Sequence, residues 1–231
     1  MLTLEAVTLA KGEFRLTADW SAAPGARIAV VGPSGAGKST LLMAIAGFLA
    51  PVSGRILWQG QDMADVSPGG RPVSILFQDQ NLFPHLTIAQ NLGLGLSPRL
   101  RLTPDDRQRV AAALARVGLA GLGDRRPAAL SGGQLGRAAL ARVLLRARPI
   151  LLLDEPFAAL GPALKADMLA LVTEIAAETR ALVLMVTHEP GDAQRFADLT
   201  VLVAAGVAAP PTETTALFED PPPALRDYIG R

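Results

Sequence analysis

Five short segments, met in one fixed order, carry residue types able to do chemistry on a phosphorylated nucleotide. They are Gly32, Pro33, Ser34, Gly35, Ala36, Gly37, Lys38, Ser39 and Thr40; then Gln78; then Leu130 with Ser131, Gly132, Gly133 and Gln134; then the apolar run 150–153 ending in Asp154, Glu155 and Pro156; and last His188. In the first segment, glycines let backbone N–H groups converge on phosphate oxygens without Cβ obstruction, at the start of a helix whose dipole favours anions. Lys38 is placed to reach the β- and γ-phosphates of a nucleoside triphosphate, and the Ser39 hydroxyl to bind Mg²⁺. An ordinary Gly-rich turn is the competing reading. The apolar strand 28–31 before the loop and the helical run 41–46 after it argue against that reading.

Asp154 closes a buried strand, so its carboxylate emerges at the carboxyl edge of a sheet, where it can hold the Mg²⁺ shell. Glu155 then points to the γ-phosphate side and can polarise an attacking water as general base. His188 follows the apolar strand 181–186 and can contact the γ-phosphate or fix that water. A lone histidine is more often structural, and only this position reverses the expectation. The other histidine, His85, reads as loop surface. Gln78 follows the strand 73–77, so its amide can sit near the metal and sense the γ-phosphate. Ser131 caps the next helix, while Gly132 and Gly133 offer bare backbone to an anion. A plain cap explains Ser131 but not two glycines and Gln134 in the first turn.

These groups need elements to hold them. Leu2, Leu4 and Ala6, and then Phe14, Leu16, Ala18 and Trp20, alternate with polar residues at the period of half-buried strands, which predicts an antiparallel layer. Residues 28–31, 73–77, 150–153 and 181–186 are nearly continuous apolar runs, the texture of parallel strands covered on both faces. Between 83 and 149 the texture turns helical. Thr103, Pro104, Asp105 and Asp106 make a good helix start, Val110, Leu114 and Val117 share a face, and Gly118 is placed to end it. A second helix is expected from just after Ser131 to Arg148, where Pro149 stops it. A third starts near Pro162, with Leu164, Met168, Leu171, Val172 and Ile175 as its stripe. The order predicts an α/β fold, a parallel core carrying an antiparallel β layer and an inserted helical subdomain over about 84–149, all in one domain spanning 1–231. The Pro-rich stretch from Pro210 to Pro223, within a tail over 210–231, reads as a surface extension rather than core.

Composition narrows the partners. The chain holds 22 Lys plus Arg against 21 Asp plus Glu, a net charge of +1 that gives no electrostatic reason to expect nucleic acid. Cysteine is absent, which excludes disulfides, thiolate metal sites and a thiol nucleophile; two histidines make a His-rich metal site improbable. Apolar runs fall far short of the roughly 20 residues that cross a bilayer. The start at 1–5 lacks the basic and apolar stretches of a secretory signal, so cytosol is the expected compartment.

Taken together, the five segments resemble the ATP-binding subunit of an ABC transporter, over Leu2 to about Val207. The resemblance implies a P-loop ATPase fold, ATP and Mg²⁺, and two chains packed head to tail, the Ser131 loop of one closing over the ATP of the other. It further implies membrane permease subunits docking on residues 81–92, a periplasmic substrate-binding protein acting indirectly, and a peripheral place on the cytoplasmic side of the cell inner membrane. Within the family, residues 71–78, 81–83, 86–91 and 93–96 look like the thiamine-importer ATPases of bacteria, as does the short form lacking a regulatory C-terminal domain. Thiamine or its phosphates is therefore the implied cargo, with another small solute as the alternative.

Three positions depart from the family pattern. Gly161 stands where an Asp usually contacts the partner's phosphate loop, which keeps open a dimerising module of weak hydrolysis. Gly136 interrupts a helix at a cost of about 1 kcal/mol relative to Ala. Lys11 replaces the aromatic that stacks on adenine, with Phe14 close by. A soluble family member of DNA repair or translation is the third reading, and the lack of coiled-coil insertions and of a second cassette argues against it.

Overall fold

The computed structural model describes residues 1–77, 82–158 and 160–230. It opens on a hairpin of β1 (Leu2–Lys11) and β2 (Phe14–Ala22), paired antiparallel. Leu2 and Leu4 point inward as their alternation predicts, but Ala6 does not. A bulge between Leu4 and Val7 puts Ala6 at φ 45° and exposed, and shifts the phase so that Val7 and Leu9 are the next buried residues.

From β3 (Arg27–Val31) the chain enters α1 (Lys38–Ala46), returns to the antiparallel layer as β4 (Ser53–Trp58) and β5 (Gln61–Asp62), and re-enters the core as β6 (Val73–Leu76). Three helices follow, α2 (Ile88–Gly93), α3 (Pro104–Arg116) and α4 (Gly132–Leu145). Then β7 (Ile150–Asp154), α5 (Pro162–Thr179), β8 (Leu182–Val186), α6 (Pro190–Phe196) and β9 (Leu199–Ala204) alternate. The chain closes with β10 (Val207–Ala208), β11 (Thr212–Glu213), α7 (Thr214–Glu219) and α8 (Pro223–Ile229).

The strands form one mixed sheet in the order β5-β4-β1-β2-β10-β9-β3-β8-β7-β6. Its β9-β3-β8-β7-β6 portion is parallel throughout, and β10 joins that core to the antiparallel layer. Alternate residues of the parallel strands feed opposite cores. Ala29, Val31, Leu153 and Met185 face the helices α2 to α6, whereas Ile28, Val30, Leu152 and Leu184 face α1 and the antiparallel layer. That two-sided burial is why these strands read as continuous apolar runs.

Two further expectations need correction. The helix after Ser131 stops at Leu145, short of Arg148: the last turn tightens through Arg146 N–H to Val143 O (3.3 Å) and Ala147 N–H to Leu144 O (2.9 Å), and Ala147 turns to φ 47°. The approach to Pro149 disfavours helical backbone, so the chain leaves early to enter β7. The Pro-rich tail is not a surface extension. β11 pairs with β9, Phe218 is buried and Leu225 fully so, with Pro223 sitting in the first turn of α8, where proline is tolerated. Among the described residues no helix is long and apolar enough to cross a membrane.

Candidate functional site

The loop between β3 and α1 is shaped by contacts that only glycine permits. At Gly32 (φ 145°) an added Cβ would stand 2.0 Å from the Val203 carbonyl oxygen of neighbouring β9, and at Gly37 (φ 105°) one would stand 2.5 Å from Phe14 Cζ. Gly37 is the N-cap of α1 and supplies no side chain to cap it, so the first N–H groups of that helix are left for a ligand. Lys38 is buried and curls back, Nζ donating to the carbonyls of Gly32 (2.7 Å) and Pro33 (2.9 Å). Burial pulls its pKa down, and the charges of Glu155 and Asp154 act against that. Pro33, Ser34, Gly35 and Ser39 are exposed, with Ala36 and Thr40 half-buried. The result is an open backbone cradle with a cation beneath it.

Strand β7 delivers Asp154 to the same place. Ser39 Oγ donates to Asp154 Oδ1 at 3.0 Å, so the two residues expected to hold a metal meet directly. Burial pushes the Asp154 carboxyl above the usual carboxylate range; the Ser39 bond and Lys38 oppose the rise, and Glu155 adds to it. Among the described residues no three His, Cys, Asp or Glu gather as a metal cage. One hydroxyl and one carboxylate suit a hard cation such as Mg²⁺, which would draw its other ligands from water and substrate phosphate oxygens.

The next residue breaks the strand. Glu155 adopts φ 46°, a left-handed conformation costing a non-glycine residue about 1–2 kcal/mol, and its N–H donates to Val186 O at 3.2 Å. That turn carries the Glu155 carboxylate to His188, whose Nδ1 lies 3.3 Å from Oε2. His188 belongs to the turn after β8. Thr187 N–H reaches Val30 O (3.3 Å), Glu189 N–H reaches Thr187 Oγ1 (3.1 Å), and Thr187 Oγ1 donates to Asp192 Oδ2 (3.3 Å). Buried Lys165 of α5 then bridges Glu189 (2.6 Å) and Asp192 (3.2 Å). Burial works against its charge, but the bonds to Glu189 and Asp192 outweigh it and raise the Lys165 pKa.

Gln78 lies outside the described residues. Ser131 is the N-cap of α4 in a reciprocal capping box: its Oγ accepts from Gln134 N–H at 3.4 Å, and Gln134 Oε1 accepts from Ser131 N–H at 2.9 Å. A Cβ at Gly133 would stand 2.6 Å from Leu164 Cδ2 of α5, whereas Gly132 has open space around it. Gln134 and Gly133 thus have uses inside the chain, and Gly132 is the residue without one. Gly136 is buried within α4, and the cap forms despite it. Gly161 is the N-cap of α5 without a side-chain bond, and Lys11 is exposed while Phe14 lies against Gly37. Lys165, Asp192 and, below, Tyr228 were not singled out from sequence, since each acts through a residue distant in the chain.

A parallel sheet with a phosphate-type loop at its carboxyl edge, next to an Asp-Glu pair, defines a P-loop ATPase. The family profile described as ABC transporter matches residues 17–158, and the chain belongs to that family. "Thiamine import ATP-binding protein ThiQ" of Cereibacter sphaeroides is 70% identical over 230 residues, covering 100% of both chains. The protein of the same name from Ruegeria sp. is 58% identical, again over 100% of both, and that of Brucella suis is 51% identical over 99% of this chain and 95% of its own. Among solved structures, the dimeric post-hydrolysis state of the ATP-binding cassette MJ0796 bound to ADP and Pi has TM-score 0.82 and 28% identity, covering 93% of this chain and 99% of that one. The chain is the ATP-binding, ATP-hydrolysing subunit of an ABC transporter.

Proposed function

We propose that this subunit drives import of thiamine or its phosphates. What supports the cargo is likeness over the full length to proteins named for thiamine import. The cargo never meets this chain; it is bound outside the membrane and passed through permease subunits that dock near residues 81–92. The subunit sits on the cytoplasmic face of the inner membrane by holding those permeases, with residues 84–149 as the helical subdomain that turns against the core. Two copies pack head to tail, and exposed Gly132, capped in place by Ser131 with Gln134, closes on the triphosphate held by the partner. The dimeric cassette MJ0796 supports that packing.

The observation that carries the mechanism is the convergence of Lys38, Ser39, Asp154, Glu155 and His188 at one sheet edge. Loop N–H groups from 32–40 bind the phosphates. Lys38, now held by two carbonyls, transfers its charge to β- and γ-phosphate oxygens, which are stronger acceptors. Ser39, Asp154 and Gln78 would hold Mg²⁺, which when bound neutralises charge on the phosphate oxygens. Glu155 takes a proton from the water whose oxygen attacks the γ-phosphorus as the bond to the bridging oxygen breaks. His188, against Glu155, orients that carboxylate and contacts the γ-phosphate.

The test is steady-state hydrolysis by the chain assembled with its membrane subunits. Glu155→Gln keeps the shape and removes the base, so kcat is expected to fall by about 10²–10⁴-fold with ATP binding retained. Equal, negligible rates in both forms would sink hydrolysis as the working step and leave the ATP-dependent dimerising module.

A further inference from the structure

The end of the chain returns to the catalytic turn. Helix α8 is pinned by fully buried Leu225, and one turn on, half-buried Tyr228 donates its hydroxyl to the backbone carbonyl of His188 at 2.7 Å. His188 in turn places Nδ1 3.3 Å from the Glu155 carboxylate. Thr187 Oγ1 accepts from Glu189 N–H, the N–H of the peptide that joins His188 to Glu189, while Lys165 and Asp192 hold the residues around it; Tyr228 anchors the carbonyl side of that same peptide. Nothing in the mechanism above uses that contact.

We propose that Tyr228 is a positioning residue for ATP hydrolysis, its hydroxyl holding the His188 peptide so that the imidazole meets Glu155. The peptide joining His188 to Glu189 can rotate in a short turn, and because its carbonyl carbon is bonded to the His188 Cα, that rotation shifts the Cα from which the imidazole projects. A donor at 2.7 Å from a helix anchored elsewhere fixes that rotation. The phenol is protonated at neutral pH in any case, and burial first, then the charge of Glu155, push its pKa further up. The tail thereby becomes part of the site: α8 acts on His188, and His188 on the base.

This inference rests on the reading of Glu155 and His188 given above, and a double-mutant cycle in the assembled transporter separates the two. Tyr228→Phe keeps the ring and removes one hydrogen bond, so kcat should fall about 3- to 10-fold with KM for ATP unchanged within about twofold. In the His188→Ala background, Tyr228→Phe should have no further effect, a coupling that a merely structural contribution of α8 would not produce. If His188→Ala itself leaves the rate intact, the role of His188 falls and this inference with it. If His188→Ala lowers the rate but Tyr228→Phe does not, or if the two losses multiply, only the inference about Tyr228 is overturned. A rise in KM at constant kcat would overturn it too. Should Tyr228→Phe fail to fold, Tyr228→Met, which is apolar and also lacks a donor, carries the same cycle.

Discussion

Gly32 shows how one residue can be required by a neighbour from another strand. Its φ of 145° and the Val203 oxygen at 2.0 Å from an added Cβ leave no room for a side chain, whereas Gly35, at φ 77°, has nothing within 4 Å. Gly32→Ala must push β3 from β9 and is expected to cost about 2–4 kcal/mol. Gly35→Ala carries only the left-handed penalty, about 1 kcal/mol. Thermal unfolding without nucleotide should therefore rank Gly32→Ala well below Gly35→Ala. The loop itself was legible, because the spacing of glycines before Lys38 and Ser39 encodes the backbone cradle. The reason for Gly32 was not, since Val203 meets it only once the sheet has formed. Glu155 and His188 were legible by position after apolar strands, but the left-handed turn that joins them was not. Tyr228 and Lys165 gave no local signal at all.

At the scale of elements, α1 is held at both ends by different chemistry. Its start faces the 32–37 loop proposed to bind phosphates, and its end is held by Arg71, which sits just before β6. The buried guanidinium donates from Nη1 to Ala44 O and Ile45 O (both 2.9 Å), from Nη2 to Met63 O (2.7 Å) and from Nε to Val66 O (3.1 Å), packed over Gly47. Ala44 O also accepts from Gly47 N–H (3.1 Å) and Met63 O from Val66 N–H (3.2 Å), whereas the guanidinium serves the Ile45 and Val66 carbonyls, and a cation there matches the negative end of the helix dipole. Arg71→Met fills the space yet strands the Ile45 and Val66 carbonyls, so unfolding by denaturant should show a loss of about 2–3 kcal/mol. A loss under about 1 kcal/mol would mean that water replaces the guanidinium. Elements with strong periodicity or capping pairs, such as α3 behind Thr103 and Asp106, could be read in advance. β9 has the same continuous apolar texture as its neighbours and could have been found by the same rule. The Ala6 bulge could not, because it depends on Gly54, whose Cβ would meet the Ala6 oxygen at 2.4 Å.

Over the whole molecule, the tail and the strand feeding the phosphate loop are tied at one seam. Arg27 at the start of β3 pairs with Asp198 (2.6 Å), whose N–H reaches Arg27 O (3.0 Å) and whose carbonyl accepts from Thr214 N–H (3.0 Å). The bond from Arg27 holds the Asp198 carboxyl below the usual range. Lys165 does the same for Glu189, and backbone N–H groups do so for Asp106 at the start of α3 and Glu213 at the start of α7. A carboxyl with a depressed folded pKa stabilises the fold above its unfolded value, about 4 for these residues, and that contribution is lost as pH falls through the folded value. These four shifts share one sign, and Asp154, raised by burial, opposes them; with four against one, stability should decline below about pH 4. Asp198→Asn isolates the seam. With the carboxylate 58% exposed, solvent screening limits its contribution to less than about 1 kcal/mol at pH 7. Denaturation midpoints of variant and parent should differ slightly at pH 7, draw together in high salt, and converge once the pH has passed below the folded pKa of Asp198. A gap that instead widens toward acid would mean that the aspartate is protonated in the folded protein and that the β3 to β9 seam is held by the backbone bonds alone.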